Sequence, residues 1–88
     1  MKIKVFYTKK FIKQVSKLEK NLQKDVYGKV SEFQNSNNHK RLEVHKLKND
    51  LKKFYSFSVN YKIRIRFIFE KDRKSATLLQ VGDRGIYK

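Results

Sequence analysis

The sequence predicts an α+β fold: an N-terminal strand, a two-helix hairpin, then a three-stranded antiparallel meander, with the helices packed on one face of a single curved sheet. Three observations predict it. An apolar stripe at helical spacing fills most of the first half of the chain. Three strand-like segments fill the second half, and the connections between them are short enough to force antiparallel pairing. The helical stripe must be buried against something, and one face of that sheet is what can bury it.

Each element has its own signal. Ile3, Val5 and Tyr7 alternate with Lys2, Lys4 and Phe6, a strand with one apolar face. Thr8 stands where a helix N-cap belongs. Phe11, Val15, Leu18, Leu22, Val26, Val30 and Phe33 recur at spacings of three and four up to about Asn35. A single uncapped helix of that length would outgrow so small a domain, so the stripe divides into two antiparallel helices near Lys20 and Asn21. Residues 35–39 read as a polar loop without helical support, and 42–47 as a short mixed segment with apolar anchors on either side of His45. Residues 48–53 form a charged turn. In the strand at 54–59, Tyr55, Phe57 and Val59 share one face and Ser56 and Ser58 the other. Asn60 and Tyr61 make a tight connection, with Tyr55 and Tyr61 read as packing residues. Ile63, Ile65, Phe67 and Phe69 alternate with Arg64 and Arg66, the clearest strand in the chain. Residues 70–74 form a hairpin loop, and the last strand, 77–81, is broken by Gly82. The sheet face away from the helices then carries Arg64, Arg66 and the serines, an open, concave, basic surface.

Composition narrows the function. Eighty-eight residues make one domain, 1–88, which buries only ~60–65% of its unfolded surface and so depends on one tight core. Cysteine is absent, which excludes disulfides and thiolate chemistry and fits a cytoplasmic location. No signal peptide and no transmembrane helix are expected. Lysine and arginine number 23 against 8 acids, a net charge of +15. Such a field attracts polyanions. Nucleic acid leads the candidate partners, because the apolar stripe belongs to a core rather than to lipid; an acidic protein could mask the same surface.

The chemistry-bearing residues point the same way. His39 and His45 cannot close a zinc site without cysteine, there is no glycine-rich phosphate loop, and no Ser-His-Asp order stands out. No cofactor is implied. What remains suits cleavage of RNA by its own 2′-hydroxyl. That reaction needs a group to take the 2′ proton, cations for the charge building on phosphorus, a proton for the leaving 5′-oxygen and a stacker to splay the strand. His45 is the natural proton-transfer group, Arg64 and Arg84 the phosphate clamps, and Tyr87 the base-stacking aromatic. Lys46, Lys48, Arg66 and Lys88 add charge for RNA binding. Plainer readings compete: a surface histidine at 45, an Arg64 paired with a carboxylate, a solvated Arg66 and a frayed basic tail.

From about residue 42 to residue 87 the chain resembles the RelE/ParE toxin superfamily of bacterial type II toxin–antitoxin systems. The resemblance lies in His45-Lys46-Leu47-Lys48, in Tyr55-Ser56-Phe57-Ser58-Val59, in Tyr61 with Ile63-Arg64-Ile65 and Phe67, and in Val81-Gly82-Asp83-Arg84-Gly85-Ile86-Tyr87. The order of elements is also that of the family, a RelE-like microbial ribonuclease fold. The resemblance implies a cytoplasmic endoribonuclease (an mRNA interferase) that cleaves mRNA in the ribosomal A site without metal or cofactor. It is silenced by a cognate antitoxin protein, and its partners are ribosome and mRNA rather than a membrane. Arg64, Arg84 and Tyr87 match the family's strand arginine, last-strand arginine and terminal aromatic, and His45 falls where several relatives place a catalytic histidine or glutamate. Tyr55 and Phe57 stand near where other RelE members carry lysines. The alternative the resemblance allows is the ParE branch, which inhibits DNA gyrase, or an inactive relative that only binds RNA or antitoxin.

Overall fold

The computed structural model describes residues 2–47 and 53–83. Strand β1 (Lys4–Tyr7) is followed by helices α1 (Lys9–Ser16) and α2 (Lys20–Phe33) and a 3₁₀ turn (Ser36–Asn38). Strands β2 (His45–Lys46), β3 (Tyr55–Ser58), β4 (Ile63–Glu70) and β5 (Ser75–Asp83) complete the fold. The described strands form one sheet in the order β1-β5-β4-β3-β2, with β1 parallel to β5 and the other neighbours antiparallel. The predicted α+β architecture and meander are present. The addition is β2, two residues long, which pairs His45 with Ser56 and Lys46 with Tyr55 and extends the meander by one edge strand.

The helices hold because they pack. An eight-residue helix is marginal alone in water, but α1 buries Phe11 and Val15, and α2 buries Val26, Val30 and Phe33, against Phe57, Ile65, Phe67, Ala76, Leu78 and Val81 of the sheet. Full burial of a side chain such as Phe or Leu contributes about 1.5–3 kcal/mol, more than the propensity differences along so short a helix. Phe33 sits at the centre. Its ring stacks on Phe57 at 4.5 Å between centroids and on His39 at 4.8 Å, and meets Phe67 edge-on at 4.8 Å. Thr8 is the N-cap expected: its hydroxyl accepts from the Phe11 N–H at 3.1 Å and donates to the Leu78 carbonyl at 3.1 Å, tying α1 to β5.

Local departures have local causes. The helical break falls at residues 17–19, before Lys20 and Asn21, where the Gln23 side-chain amide donates to the Leu18 carbonyl at 2.8 Å and satisfies a backbone group the helix end would orphan. The segment 35–39 is a 3₁₀ turn rather than an unsupported loop, because the Asn35 side chain accepts from the Asn37 N–H at 3.0 Å. Gly82 does not break β5; it pairs with Arg64, and the strand runs on to Asp83. Tyr61 is 79% exposed rather than buried in packing, and the Asn60 side chain closes the turn by accepting from Lys62 and Ile63 N–H, both at 2.8 Å. The β4–β5 loop places Lys71, Asp72 and Arg73 in the left-handed region, at φ of 51°, 56° and 66°, without a glycine. A register shift at Arg66 and Phe67 marks a bulge, which bends and twists the paired strands.

Candidate functional site

Cross-strand register decides which side chains share a face. His45 lies opposite Ser56, Ser56 opposite Arg66, and Arg66 opposite Gln80; in the next row Ser58 lies opposite Arg64, and Arg64 opposite Gly82. Directly opposed residues point to the same side of a sheet. His45, Arg64 and Arg66 therefore stand together on the face away from the helices, as the alternation of β4 predicts. Lys46 pairs with Tyr55, one residue out of phase, and so lies on the other face at the sheet edge. Lys48, Arg84, Tyr87 and Lys88 lie outside the described residues, as does most of the charged turn expected at 48–53.

His45 is oriented by its neighbours. Its Nδ1 is 2.8 Å from the Glu43 carbonyl oxygen. A carbonyl can only accept, so Nδ1 carries the proton of the neutral ring and Nε2 is left as the acceptor. Nε2 is 3.4 Å from the hydroxyl of buried Ser56, a long contact that leaves its lone pair weakly engaged. Glu43 makes this arrangement by adopting φ 58°, in the left-handed region, while its carboxylate accepts from the Ser58 hydroxyl at 2.7 Å. The Leu42 carbonyl accepts from the Ser58 N–H at 2.9 Å and pins the same loop to β3. Glu43 is the residue that sequence reasoning missed: neither glycine nor asparagine announces its backbone conformation, and its carbonyl, not its side chain, touches the histidine.

The two arginines are held differently. Arg64 donates from Nη1 to the Asn60 carbonyl at 2.6 Å, which fixes one arm of the guanidinium and leaves its other donors to the open face. Among the described residues its hydrogen-bond partner is thus a backbone oxygen rather than a carboxylate. Arg66 stacks its guanidinium over the Phe54 ring at 4.9 Å from the centroid. Its buried Nε, like the buried Gln80 Oε1 opposite, has no hydrogen-bond partner among the described residues. Among the described residues the ion pairs are Lys29 and Arg41 with Glu32, and neither involves Arg64 or Arg66. No group of three His, Cys, Asp or Glu among the described residues could hold a metal ion. No helix among them is long and apolar enough to cross a membrane.

No protein-family model and no curated protein matches the chain. Solved structures do. The RelE–RelB complex of Pyrococcus horikoshii OT3 superposes with a TM-score of 0.74 at 17% identity, covering 97% of this chain and 98% of that one. The RelBE2 toxin–antitoxin complex of Mycobacterium tuberculosis gives 0.70 at 17% identity, covering 96% and 100%. YafQ of E. coli gives 0.68 at 13% identity, covering 96% of each. At these identities the likeness establishes the fold, which is that of RelE-like toxins over nearly the full length of both partners.

Proposed function

We propose that this chain, which has the RelE-like toxin fold, is the toxin of a toxin–antitoxin pair and an endoribonuclease that cleaves mRNA in the ribosomal A site. The observation that carries the proposal is the Glu43 carbonyl on His45 Nδ1, which leaves Nε2 as a proton acceptor on the same sheet face as Arg64 and Arg66. The 2′-hydroxyl of the RNA approaches exposed His45 from the open face and gives its proton to Nε2. The 2′-oxygen attacks the adjacent phosphorus, the bond from phosphorus to the 5′-oxygen breaks, and that oxygen takes a proton from solvent water, giving a 2′,3′-cyclic phosphate and a 5′-hydroxyl, while protonated His45 returns its proton to solvent. Arg64, braced by Asn60, meets the charge that develops on the phosphate oxygens. Arg84 and Tyr87 complete the proposal as second clamp and base stacker on the strength of the sequence resemblance. The solved neighbours are named as toxin–antitoxin and RelE–RelB complexes, which supports a cognate antitoxin as the second partner, one that masks the basic face.

Primer extension on a defined mRNA with programmed ribosomes tests this. The expected result is a new 5′ end inside the A-site codon, reduced about 10²-fold or more by His45→Ala, within the range of acid–base groups, and lost with Arg84→Ala. Folded protein that stops growth yet leaves no new end would overturn the ribonuclease reading in favour of a gyrase inhibitor.

A further inference from the structure

The open face carries a second feature at its far edge. Phe6 on β1 pairs with Thr77 of β5, which pairs with Ile68 of β4, so its side chain points to the side that bears Arg64 and Arg66. It is 48% exposed, although a strand phenylalanine is ordinarily buried. Around it the backbone gathers three lysines. The Lys4 N–H donates to the Lys74 carbonyl at 3.0 Å, and the Lys74 N–H donates to the Lys71 carbonyl at 3.1 Å, across the left-handed turn. Lys4, Phe6, Lys71, Lys74 and Ser75 line a cleft of about 260 Å³. None of the three lysines is ion-paired with a described carboxylate. Glu70, an acid on this face, accepts a hydrogen bond from the Thr77 hydroxyl.

An exposed aromatic ring in a cleft lined by three lysines, none ion-paired with a described carboxylate, is complementary to a nucleotide, with a base on the ring and phosphates on the cations. The cleft is smaller than the ~300–1,000 Å³ sites that enclose drug-sized ligands, and its size suits a single base. Four residues along β4 and two strands across separate Phe6 from Arg64, about 16 Å by strand geometry, so one continuous single strand can lie on both. We propose that Phe6 with Lys4, Lys71 and Lys74 forms a distal single-stranded RNA subsite that binds a nucleotide away from the cleaved bond. This rests on the reading of the open face as an RNA surface and adds a binding site to it.

The test is fluorescence anisotropy of the full chain with a labelled 2′-O-methyl RNA decamer, which cannot be cleaved by its own 2′-oxygen. Phe6→Ala is expected to weaken binding by about 5-fold to 150-fold, the range for losing one base stack, and Phe6→Tyr to restore it. Joint replacement of Lys4, Lys71 and Lys74 by glutamine should lower the slope of log K against log salt by about 2, from ~0.7 for each of three phosphates. Unchanged affinity and slope in these variants, or no binding by the parent chain, overturns the subsite. So does a Phe6→Ala variant that binds RNA normally but turns a dimer into a monomer in sedimentation, which assigns the patch to a second copy. Binding that depends on Phe6 in a protein that cuts no mRNA on ribosomes would keep the subsite and remove the nuclease reading, so the two fail separately.

Discussion

Arg64 shows how much a single side chain's geometry can decide. One Nη is committed to the Asn60 carbonyl, and a planar guanidinium can hold that bond while presenting further donors. A lysine ammonium is a point charge on a flexible stem; keeping the Asn60 contact would draw it away from a phosphate. Arg64→Lys should therefore lower cleavage by about 10²-fold, the loss seen when one donor to a developing oxyanion is removed, with an unaltered melting curve. Equal activity in the lysine variant would make Arg64 a structural brace for the turn. A different residue pair makes a small pH-dependent contribution. The Arg41 guanidinium, 2.6 Å from the Glu32 carboxylate, holds that carboxyl below its ordinary pKa, with Lys29 assisting. A depressed carboxylate stabilises the fold above its unfolded pKa, and the contribution fades as pH falls through the folded value. Arg41→Gln should thus lower stability near neutral pH by no more than the ~0.2–1 kcal/mol of an exposed pair. The difference from the parent should shrink in denaturant titrations as pH falls through the lowered folded-state pKa of this carboxyl.

At the scale of elements, the N-cap and the β4–β5 loop make opposite predictions. Thr8 caps α1 and also bonds β5, so Thr8→Ala removes a helix cap and a tertiary hydrogen bond together. Caps contribute about 0.5–2 kcal/mol, and the loss should fall in the upper half of that range by urea unfolding; a loss below it would mean that water replaces both bonds. Lys71 holds φ 51° with a β-carbon that disfavours it. Lys71→Gly should stabilise the fold by up to about 1 kcal/mol, strain relief outweighing the added unfolded-state entropy. The contrast matches what could be read in advance. Periodicity found β4, both helices and the Thr8 cap, because each is written in neighbouring residues. It also placed Arg64 and Arg66 on one face. It could not find β2, whose two residues have no period and become a strand only by pairing with β3. Nor could it find the left-handed Glu43, Lys71, Asp72 and Arg73, which carry no glycine, or the continuation of β5 through Gly82, which depends on Arg64 opposite. His45 stood out by residue type alone; neither its place on β2 opposite Ser56 nor the carbonyl on its Nδ1 could be read.

For the molecule as a whole, charge is the dominant stress. Fifteen net positive charges sit on a body 33 × 29 × 25 Å. At 0.01 M salt the screening length is about 30 Å, so every lysine repels every other across the whole fold; at 1 M it is about 3 Å, and only adjacent charges interact. Native ion pairs pull the other way, since salt weakens them too, but among the described residues both converge on one half-exposed glutamate and contribute little. Repulsion should win. The melting temperature is expected to rise steadily from 0.01 to 0.5 M sodium chloride, and a polyanion such as heparin should raise it at concentrations far too low to screen, by binding the folded state in preference to the unfolded chain. RNA binding should fall over the same salt range, because the cations that destabilise the free protein are those that hold phosphates. The basic surface thus links stability to partner: the free chain is weakest in low salt, where its attraction for a polyanion is strongest. A melting temperature that fell with salt would reverse the balance, giving the native ion pairs more weight than the repulsion among the lysines.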